Sequence, residues 1–262
     1  MIRAMKLSPL TGKRILLTRA EHQLTEVDRM LRDRGAVPIH FPCLALEPLP
    51  HEIDQALPLL EKCSDVLFTS SNGVLALQRF CHDRNRDPAL LLAGKRIAAV
   101  GDSTAETLRA LAINVQIIPN TASQHGLIEA YAVHGMPERL LFYRAEEGSD
   151  VLAANLRKQG VEVDTVKAYR TICPQGSAVE IVSMIAAGEI DAVLLGSAKT
   201  ARHYLQRIGS GRVANAPVVA VISPAMADEA ERSGLHVQVV AKTASFEAML
   251  DALADYFDAN PS

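Results

Sequence analysis

The chain alternates short apolar runs with longer amphipathic stretches. Runs such as Arg14–Thr18 and Ala192–Gly196 have the length of a strand and are apolar almost throughout, which is typical of strands buried on both faces. After the first run, Leu24, Val27 and Leu31 recur at helical spacing. The same alternation continues along the sequence. It predicts the α/β class, with parallel sheets flanked by helices.

Further apolar runs predict the remaining strands, at 36–41, 65–69, 96–100, 115–119, 140–143, 161–169, 191–197, 217–223 and 237–241. Apolar residues that recur every three or four positions predict helices, at 74–80, 105–112, 127–132, 151–160 and 246–257. The polar segments 70–73 and 101–104 are expected to form turns between a strand and the next helix.

One phrase occurs twice in the chain. VQIIPNTAS at 115–123 recurs as VQVVAKTAS at 237–245, and the segments that precede the two copies keep the same order. Because the period is about half the chain, the repeat indicates two domain-sized units rather than a solenoid. Proline-containing stretches at 42–50 and 169–174 are the expected linkers between them.

Length and composition agree with two globular domains and narrow the classes of function. The chain has 262 residues, of which 48% are hydrophobic, and no apolar run reaches the ~18–20 residues of a membrane span. The N-terminal residues lack the apolar region of a secretory signal, so we expect a cytoplasmic protein. The net charge is −3 and the basic residues are interspersed with acidic ones, so nucleic acid is not expected as a partner.

The cysteines and histidines show no spacing that indicates a metal site. The four cysteines are scattered, without a C-x-x-C pair, and the eight histidines form neither an H-x-H nor an H-E-x-x-H motif. We therefore expect no bound metal, and we expect the cysteines to be buried, reduced thiols.

Polar residues concentrate where the predicted strands end. In open α/β sheets, ligands bind beyond the carboxyl ends of the strands, on the loops that lead into helices. Four such loops stand out, at 69–73 (TSSNG), 101–104 (GDST), 197–199 (SAK) and 223–226 (SPAM), and Arg19 and Arg144 occupy matching strand ends. Hydroxyls and free N–H groups at helix N-termini are suited to bind anions.

Other readings of these loops stay open. Serine and asparagine after a strand often serve only as helix N-caps, and the two arginines could form surface ion pairs with neighbouring glutamates. Neither the G-x-G-x-x-G motif nor the G-x-x-x-x-G-K-[ST] motif is present, which removes the main support for a dinucleotide or P-loop site. The residues alone indicate a two-domain α/β protein that binds an anion.

Five segments in this order resemble the uroporphyrinogen-III synthase family over nearly the whole chain: LLTRA at 16–20, DVLFTSSNGV at 65–74, AVGDSTAETL at 99–108, GVEVDTVKAYRT at 160–171 and ISPAMADEAERSG at 222–234. The resemblance implies two similar domains, each a parallel β-sheet flanked by helices, joined by a two-stranded linker. Domain one would contain 1–41 and 172–262, domain two 46–167, and the linker strands 42–45 and 168–171.

The resemblance also implies a reaction. The family cyclises hydroxymethylbilane, a linear tetrapyrrole with eight carboxylates, to uroporphyrinogen III in heme biosynthesis. Water is lost, ring D is inverted through a spiro intermediate, and no cofactor is used, so the enzyme would be a hydro-lyase. The implied partners are this small substrate and, for a transient hand-over, hydroxymethylbilane synthase. The protein is expected to be a monomer.

The site residues follow from matching these motifs. Tyr169 matches a family tyrosine that assists the loss of the hydroxyl as a proton donor, a role open to a phenol because it keeps its proton at neutral pH. The residues expected to bind substrate carboxylates through side-chain or backbone donors are Arg19, Ser70, Ser71, Asn72, Gly101, Ser103, Thr104, Arg144, Ser197 and Lys199. Tyr169 could alternatively be an ordinary strand aromatic.

The second half departs from the family pattern. Gly196–Ser197 stands where the family usually has Thr-Ser, and Ser223–Met226 stands where it usually has Gly-Pro-x-Thr, so this half lacks a hydroxyl donor of the family pattern. The rival hypothesis is a non-catalytic protein on the same scaffold that binds a tetrapyrrole or another anion. A transferase of doubly wound type is a more distant alternative, since no cofactor loop is found.

Overall fold

The structure, a computed structural model, describes residues 8–20 and 24–260. The chain divides into two compact units. One unit contains Met1–Ala45 and Ile172–Ser262, and the other contains Leu46–Thr171. The first unit is therefore discontinuous in sequence.

Short strands alternate with helices along the described chain. The strands are β1 (Arg14–Leu17), β2 (Val37–His40), β3 (Ala45–Pro48), β4 (Asp65–Phe68), β5 (Arg96–Ala99), β6 (Arg139–Ala145), β7 (Glu162–Ile172), β8 (Ala192–Leu195), β9 (Val218–Val221) and β10 (Val239–Val240). The helices are α1 (Leu24–Asp33), α2 (Pro50–Gln55), α3 (Leu57–Lys62), α4 (Ser71–His82), α5 (Pro88–Leu91), α6 (Asp102–Ala110), α7 (Gln124–His134), α8 (Val151–Lys158), α9 (Val179–Ala186), α10 (Ala198–Ile208), α11 (Gly211–Ala214), α12 (Pro224–Arg232) and α13 (Phe246–Ala259).

The two sheets have the same internal order. The sheet of the first unit runs β10-β9-β8-β1-β2, and its strands pair in parallel. The sheet of the second unit runs β5-β4-β6-β7-β3, with parallel pairing from β5 to β7, and a parallel bridge joins Ile117 to Ala98 of β5. Strand β1 thus corresponds to β6, β8 to β4 and β9 to β5. The predicted α/β class with parallel sheets is confirmed.

Apolar side chains cover both faces of each sheet. In the first unit, Leu16 and Val193 pack on one face while Ile15 and Leu194 pack on the other, and all four side chains are buried. This explains why the strands are apolar throughout, since a parallel sheet between two helix layers has no solvent face.

The strand predicted at 115–119 is wrong. Only the bridge at Ile117 forms, and the second copy of the phrase contributes just the two residues of β10. The reason is that the side chain of Gln116, rather than a backbone carbonyl, accepts a hydrogen bond from the neighbouring strand β5. The N–H of Ile97 donates to Oε1 of Gln116, while the carbonyl of Ile97 accepts from the N–H groups of both Gln116 and Ile117. A regular strand cannot continue through this irregular pairing.

Two helices begin earlier than predicted. In segment 70–73 only Ser70 lies before the helix, because α4 begins at Ser71. The side chain of Ser70 caps α4 by accepting a hydrogen bond from the N–H of Asn72 at 3.2 Å. Segment 101–104 enters the helix at once, because Gly101 has φ +96° and serves as the N-cap residue of α6. Asn72, Ser103 and Thr104 therefore lie in first helical turns rather than in loops. Residues 168–171 form the last part of β7.

Candidate active site

A cavity of about 380 Å³ lies at the carboxyl end of the sheet of the second unit. It is lined where β4, β5, β6 and β7 end and where α7 and α8 begin. The lining residues are Thr69, Val100, Ala122, Ser123, Gln124, Phe142, Arg144, Ala145, Gly148, Ser149, Leu152 and Tyr169. This is the position at which open parallel sheets bind ligands.

A β-bulge directs Tyr169 toward this cavity. The pairing of β6 with β7 shifts after Arg144, so that Arg144 lies opposite Lys167 while Ala145 lies opposite Tyr169 and not Ala168. Bulges redirect side chains and are frequent beside active sites. Both Ala168 and Tyr169 are consequently buried, and Tyr169 is 7% exposed. Its backbone carbonyl accepts from the N–H of Glu146 at 2.8 Å, which holds the strand end in place.

Arg144 lines the same cavity, but its donors serve the following loop. The guanidinium donates to the carbonyls of Ala145 and Gly148 and pairs with the carboxylate of Asp150. A Cβ atom on Gly148 would lie 3.1 Å from Nε of Arg144, so glycine lets the loop close around the guanidinium. Arg144 is only 7% exposed, and a buried charge needs a partner. The carboxylate of Asp150 provides it.

Six other predicted residues stand at the N-terminal ends of α4 and α6. The structure brings Ser71 and Ser103 together, with 3.2 Å between their Oγ atoms. Thr104 is 4% exposed and offers almost no surface to a ligand. Of the predicted residues in this unit, the cavity is lined by Arg144 and Tyr169 and not by Ser70, Ser71, Asn72, Gly101, Ser103 or Thr104.

The first unit contains a cavity of about 470 Å³ at the carboxyl end of its own sheet. Its lining residues are Arg19, Leu44, Gly196, Ser197, Thr200, Ile222, Ala244, Ser245 and Phe246. Ser197 is the N-cap of α10, and its Oγ accepts from the N–H of Thr200 at 3.1 Å. Lys199 lies in the first turn of α10, outside the lining.

Arg19 lies over an aromatic ring in this cavity. The centre of its guanidinium is 4.6 Å from the centroid of the Phe246 ring, a distance typical of a cation–π contact. Burial lowers the pKa of Arg19, while the charge of Glu26 acts to raise it. The guanidinium nevertheless stays protonated in proteins, so this cavity holds a permanent cation.

The repeated phrase lines both cavities. Its last two residues, alanine and serine, lie in the lining of each, as Ala122–Ser123 and as Ala244–Ser245. Each serine caps the helix that follows. Oγ of Ser123 accepts from Gly126 at 3.0 Å, and Oγ of Ser245 accepts from Ala248 at 3.1 Å. The recurrence in the sequence therefore marks equivalent places in two sites.

The sequence reasoning named Thr69 only as part of the loop at 69–73, and it missed several other lining residues, namely Ser123, Gln124, Ser149, Thr200, Ser245 and Phe246. A signal existed for Ser123 and Ser245, because the repeated TAS ends where a strand-like run meets a helical pattern. The structure also shows what the divergent segment 223–226 does. Ser223 caps α12 by accepting from Met226 at 3.3 Å, so the divergent turn keeps a capping hydroxyl, although it does not line the cavity.

Metal-binding geometry is not found in the part of the chain that the structure describes. No three His, Cys, Asp or Glu side chains of the described ranges group closely enough to hold a metal ion. Nor does any helix within those ranges combine the length and apolarity that a membrane crossing needs.

Comparison with known proteins gives a family match over most of the chain. A family model described as uroporphyrinogen-III synthase HemD matches residues 25–251. The uroporphyrinogen-III synthase of Synechococcus elongatus is 30% identical over 207 residues, 77% of each chain. That of Chlorobaculum parvum is 23% identical over 93% of this chain and 98% of its own. The porphyrin biosynthesis protein HemD of Ruminiclostridium josui is 26% identical, and the match covers 49% of that longer protein.

Solved structures with this fold carry related descriptions. A uroporphyrinogen-III synthetase from Helicobacter pylori superposes with a TM-score of 0.63 at 16% identity, covering 94% of this chain and 100% of its own. A mutant uroporphyrinogen III synthase from Thermus thermophilus gives a TM-score of 0.54 at 16% identity, covering 95% and 100%. At this identity the likeness shows that the fold is shared.

Proposed function

Because the chain belongs to the uroporphyrinogen-III synthase family, we propose that it cyclises hydroxymethylbilane to uroporphyrinogen III in heme biosynthesis. The family match over residues 25–251 supports this, and so does the 98% coverage of the relative from Chlorobaculum parvum. The residues that would carry out the reaction lie at the carboxyl ends of the two sheets.

The observation that carries the proposal is the bulge that turns Tyr169 into the cavity of the second unit. Loss of the terminal hydroxyl requires a proton at the departing oxygen. The phenol of Tyr169 would supply that proton or a hydrogen bond, and the resulting cation would close onto the other end of the bilane. Inversion of ring D through a spiro intermediate then depends on how the two ends are held, which is a matter of orientation.

The substrate carries eight carboxylates, whereas the protein has a net charge of −3. We propose that local donors compensate for the unfavourable overall charge. These would be the helix N-termini and hydroxyls at Ser70, Ser71, Asn72, Gly101, Ser103 and Ser197, together with the cationic side chains of Lys199 and Arg19. The neutral donors among them bind an anion without the desolvation of many opposed charges. Both Thr104 and Arg144 are buried. Thr104 would act mainly by packing the first turn of α6, and Arg144 by maintaining the shape of the loop that follows β6.

Several finer points belong to the same proposal. The enzyme would be a hydro-lyase that needs no cofactor, since acid assistance and orientation suffice for the chemistry. Domain one would contain 1–41 and 172–262 and domain two 46–167, with 42–45 and 168–171 connecting them. We propose a cytoplasmic monomer that takes its substrate from hydroxymethylbilane synthase. The four free cysteines support a reducing compartment.

The test supplies freshly prepared hydroxymethylbilane to the purified protein and separates the oxidised products by isomer. Uroporphyrin III as the main product is the expected result. Uroporphyrin I alone, the uncatalysed product, from protein whose circular dichroism shows it to be folded would overturn the synthase and favour the non-catalytic binding protein. A control without protein fixes the uncatalysed rate under the same conditions.

A further inference from the structure

The carboxylate of Glu147 binds the backbone of β7 just beyond Tyr169. Its Oε1 accepts a hydrogen bond from the N–H of Thr171 at 3.1 Å. One residue earlier, the N–H of Glu146 donates to the carbonyl of Tyr169 at 2.8 Å. Two consecutive glutamates of the loop after β6 therefore hold the backbone of β7, one at Tyr169 and one two residues further on.

The register of the two strands shows what the side chain of Glu147 replaces. In a parallel pair, each hydrogen-bonded residue joins its N–H and its carbonyl to two residues of the neighbouring strand that lie two positions apart. Since the N–H of Glu146 binds the carbonyl of Tyr169, a regular ladder would join the carbonyl of Glu146 to the N–H of Thr171. Strand β6 ends at Ala145, and the bond from Thr171 goes to the carboxylate of Glu147 instead. The side chain thus continues the pairing after the backbone of β6 has left it.

This bond bears on Tyr169 because β7 is irregular beside it. The bulge leaves Ala168 as an extra residue without an opposite residue on β6. A bulge disrupts the ladder and bends its strand, so the course of the strand depends on the contacts on each side of it. On the side of β3, the N–H of Leu49 donates to the carbonyl of Ala168 at 2.9 Å. On the side of β6, the carboxylate of Glu147 secures the strand just past Tyr169.

We propose that Glu147 is a positioning residue for Tyr169. Its carboxylate extends the pairing of β6 with β7 and thereby fixes the direction in which the phenol enters the cavity. This inference rests on the proposed function for the role of the phenol as proton donor. A displacement of about 1 Å in an active site can lower a rate ~10²-fold. Because the hydrogen bond to Thr171 is exposed, its loss should cost less than removal of the Tyr169 hydroxyl itself.

Two substitutions separate the hydrogen bond from the charge of the carboxylate. Glu147→Gln removes the charge but keeps an acceptor oxygen at the same place along the side chain, so the N–H of Thr171 keeps its partner. Glu147→Asp keeps the charge but is shorter by a methylene group, so its carboxylate no longer reaches Thr171. Glu147→Ala removes both. If the carboxylate acts through the hydrogen bond, Glu147→Gln should resemble wild type and Glu147→Asp should resemble Glu147→Ala.

The first readout is the turnover of hydroxymethylbilane. Glu147→Ala and Glu147→Asp are expected to lower kcat about fivefold to tenfold, while KM changes less than about twofold, because Glu147 does not line the cavity. Glu147→Gln should keep kcat within about twofold of wild type. The matched control is Glu138→Ala, which removes an exposed glutamate just before β6, at the opposite end of that strand. It should leave both constants unchanged.

The second readout does not depend on catalysis. Protein labelled with meta-fluorotyrosine gives a fluorine NMR resonance for Tyr169, which Tyr169→Phe assigns by its disappearance. This resonance should shift in Glu147→Ala and Glu147→Asp, and it should keep its wild-type position in Glu147→Gln and Glu138→Ala. The resonances of the buried Tyr131 and Tyr204 report on general changes in packing and should stay in place in all four variants.

The outcomes distinguish this inference from the proposed function. A shifted Tyr169 resonance in Glu147→Asp, with uroporphyrin I as the sole product of the wild-type protein, would support the positioning role and reject the synthase. An unchanged resonance in folded Glu147→Ala would overturn the inference even if uroporphyrin III is formed. Equal effects of Glu147→Gln and Glu147→Ala would also overturn it, since they would assign the role to the charge. If Glu147→Ala does not fold, the comparison of Glu147→Asp with Glu147→Gln decides the question.

Discussion

The backbone N–H of Ile97 donates a hydrogen bond to Oε1 of Gln116 at 2.7 Å. The same contact joins the N–H of Val219 to Oε1 of Gln238 at 2.8 Å in the other unit. Each glutamine is the second residue of the repeated phrase. Gln116 binds β5 next to the single bridge at Ile117, and Gln238 binds β9 just before the two-residue ladder between β9 and β10. The repeat is thus preserved at the level of individual hydrogen bonds as well as in strand order.

Replacement of these glutamines is expected to destabilise the protein. Ile97 is 2% exposed and Val219 is fully buried, so Gln116→Ala or Gln238→Ala leaves a buried N–H without its acceptor. An unsatisfied buried donor costs about 1–3 kcal/mol. Urea denaturation of each variant measures the free energy of unfolding. Gln78→Ala, on the exposed face of α4, is the control and should stay within about 0.5 kcal/mol of wild type. A similarly small change in Gln116→Ala would contradict the role given to the side chain.

Much of the fold follows from the sequence because burial on both faces leaves a plain signal. The run at Arg14–Thr18 became β1, the run at 191–197 became β8, and the closing amphipathic stretch became α13. The prediction failed at 115–119, where the residues are as apolar as in a strand. An apolar run indicates that a segment is buried. It does not reveal that the side chain of Gln116, instead of a backbone carbonyl, accepts the hydrogen bond from the N–H of Ile97.

The candidate site was partly predictable for a similar reason. Ser70 and Ser197 are helix N-caps, as the loop patterns suggested. By contrast, the turn of Tyr169 into the cavity depends on a one-residue shift between β6 and β7, which the composition of neither strand discloses. The different surroundings of Arg19 and Arg144 could not be foreseen either, since both follow a predicted strand and precede Ala. They arise from residues distant in sequence, such as Phe246, and from the fold of the loop at 145–150.

Tyr169→Phe tests the proposed proton donor directly. Removal of the hydroxyl keeps the ring and therefore the packing of the bulge. We therefore expect binding of uroporphyrin III, a stable octacarboxylate used as a probe, to persist while turnover of hydroxymethylbilane falls by ~10²–10⁴-fold. Stopped-flow consumption of substrate and isomer analysis of the product measure the effect. Wild-type turnover with wild-type isomer purity would remove Tyr169 from the mechanism.

Tyr143 supplies a matched control for that substitution. It lies on the adjacent strand β6, and its hydroxyl is buried without a hydrogen-bond partner among the described residues. Its ring stacks on Phe68 with 5.0 Å between centroids, a contact that Tyr143→Phe retains. Because the lost hydroxyl makes no hydrogen bond, we expect unchanged turnover and equal or greater stability. A large loss of turnover in this variant would show that hydroxyl removal near the cavity acts indirectly.

The thiols are expected to differ in reactivity. Cys43, Cys63 and Cys81 are buried, whereas Cys173 is partly exposed. Burial raises the pKa of Cys43 to about 12, so very little reactive thiolate exists at neutral pH. N-ethylmaleimide at pH 7 should therefore modify mainly Cys173 in the folded protein, and all four thiols in urea, as counted by mass spectrometry. Cys173→Ser should abolish the early labelling. Rapid modification of Cys43 in the native state would contradict its burial.

The stability of the first unit should depend on the ionisation of Asp28. Its carboxylate accepts from Nε of Arg32 and contacts Nε2 of His40, each at 2.6 Å. The hydrogen bond from Arg32 is the main cause that lowers the pKa of Asp28, and His40 adds to it. Since the folded pKa lies below the unfolded value of about 3.9, the stabilisation is complete above about pH 5 and is lost as the pH falls through the folded pKa.

Asp28→Asn should accordingly lower the free energy of unfolding at pH 7 by up to about 1 kcal/mol, the range for such partly exposed ion pairs. The difference between wild type and variant should shrink as the pH is lowered from 5 to 3, because the wild-type carboxylate then gains a proton. Denaturation with urea at several pH values measures it. Asp33→Asn, at an exposed position of the same helix, is the control and should show no such pH-dependent difference. A difference for Asp28→Asn that is constant across this pH range would mean that the carboxylate stabilises the helix by geometry rather than by charge.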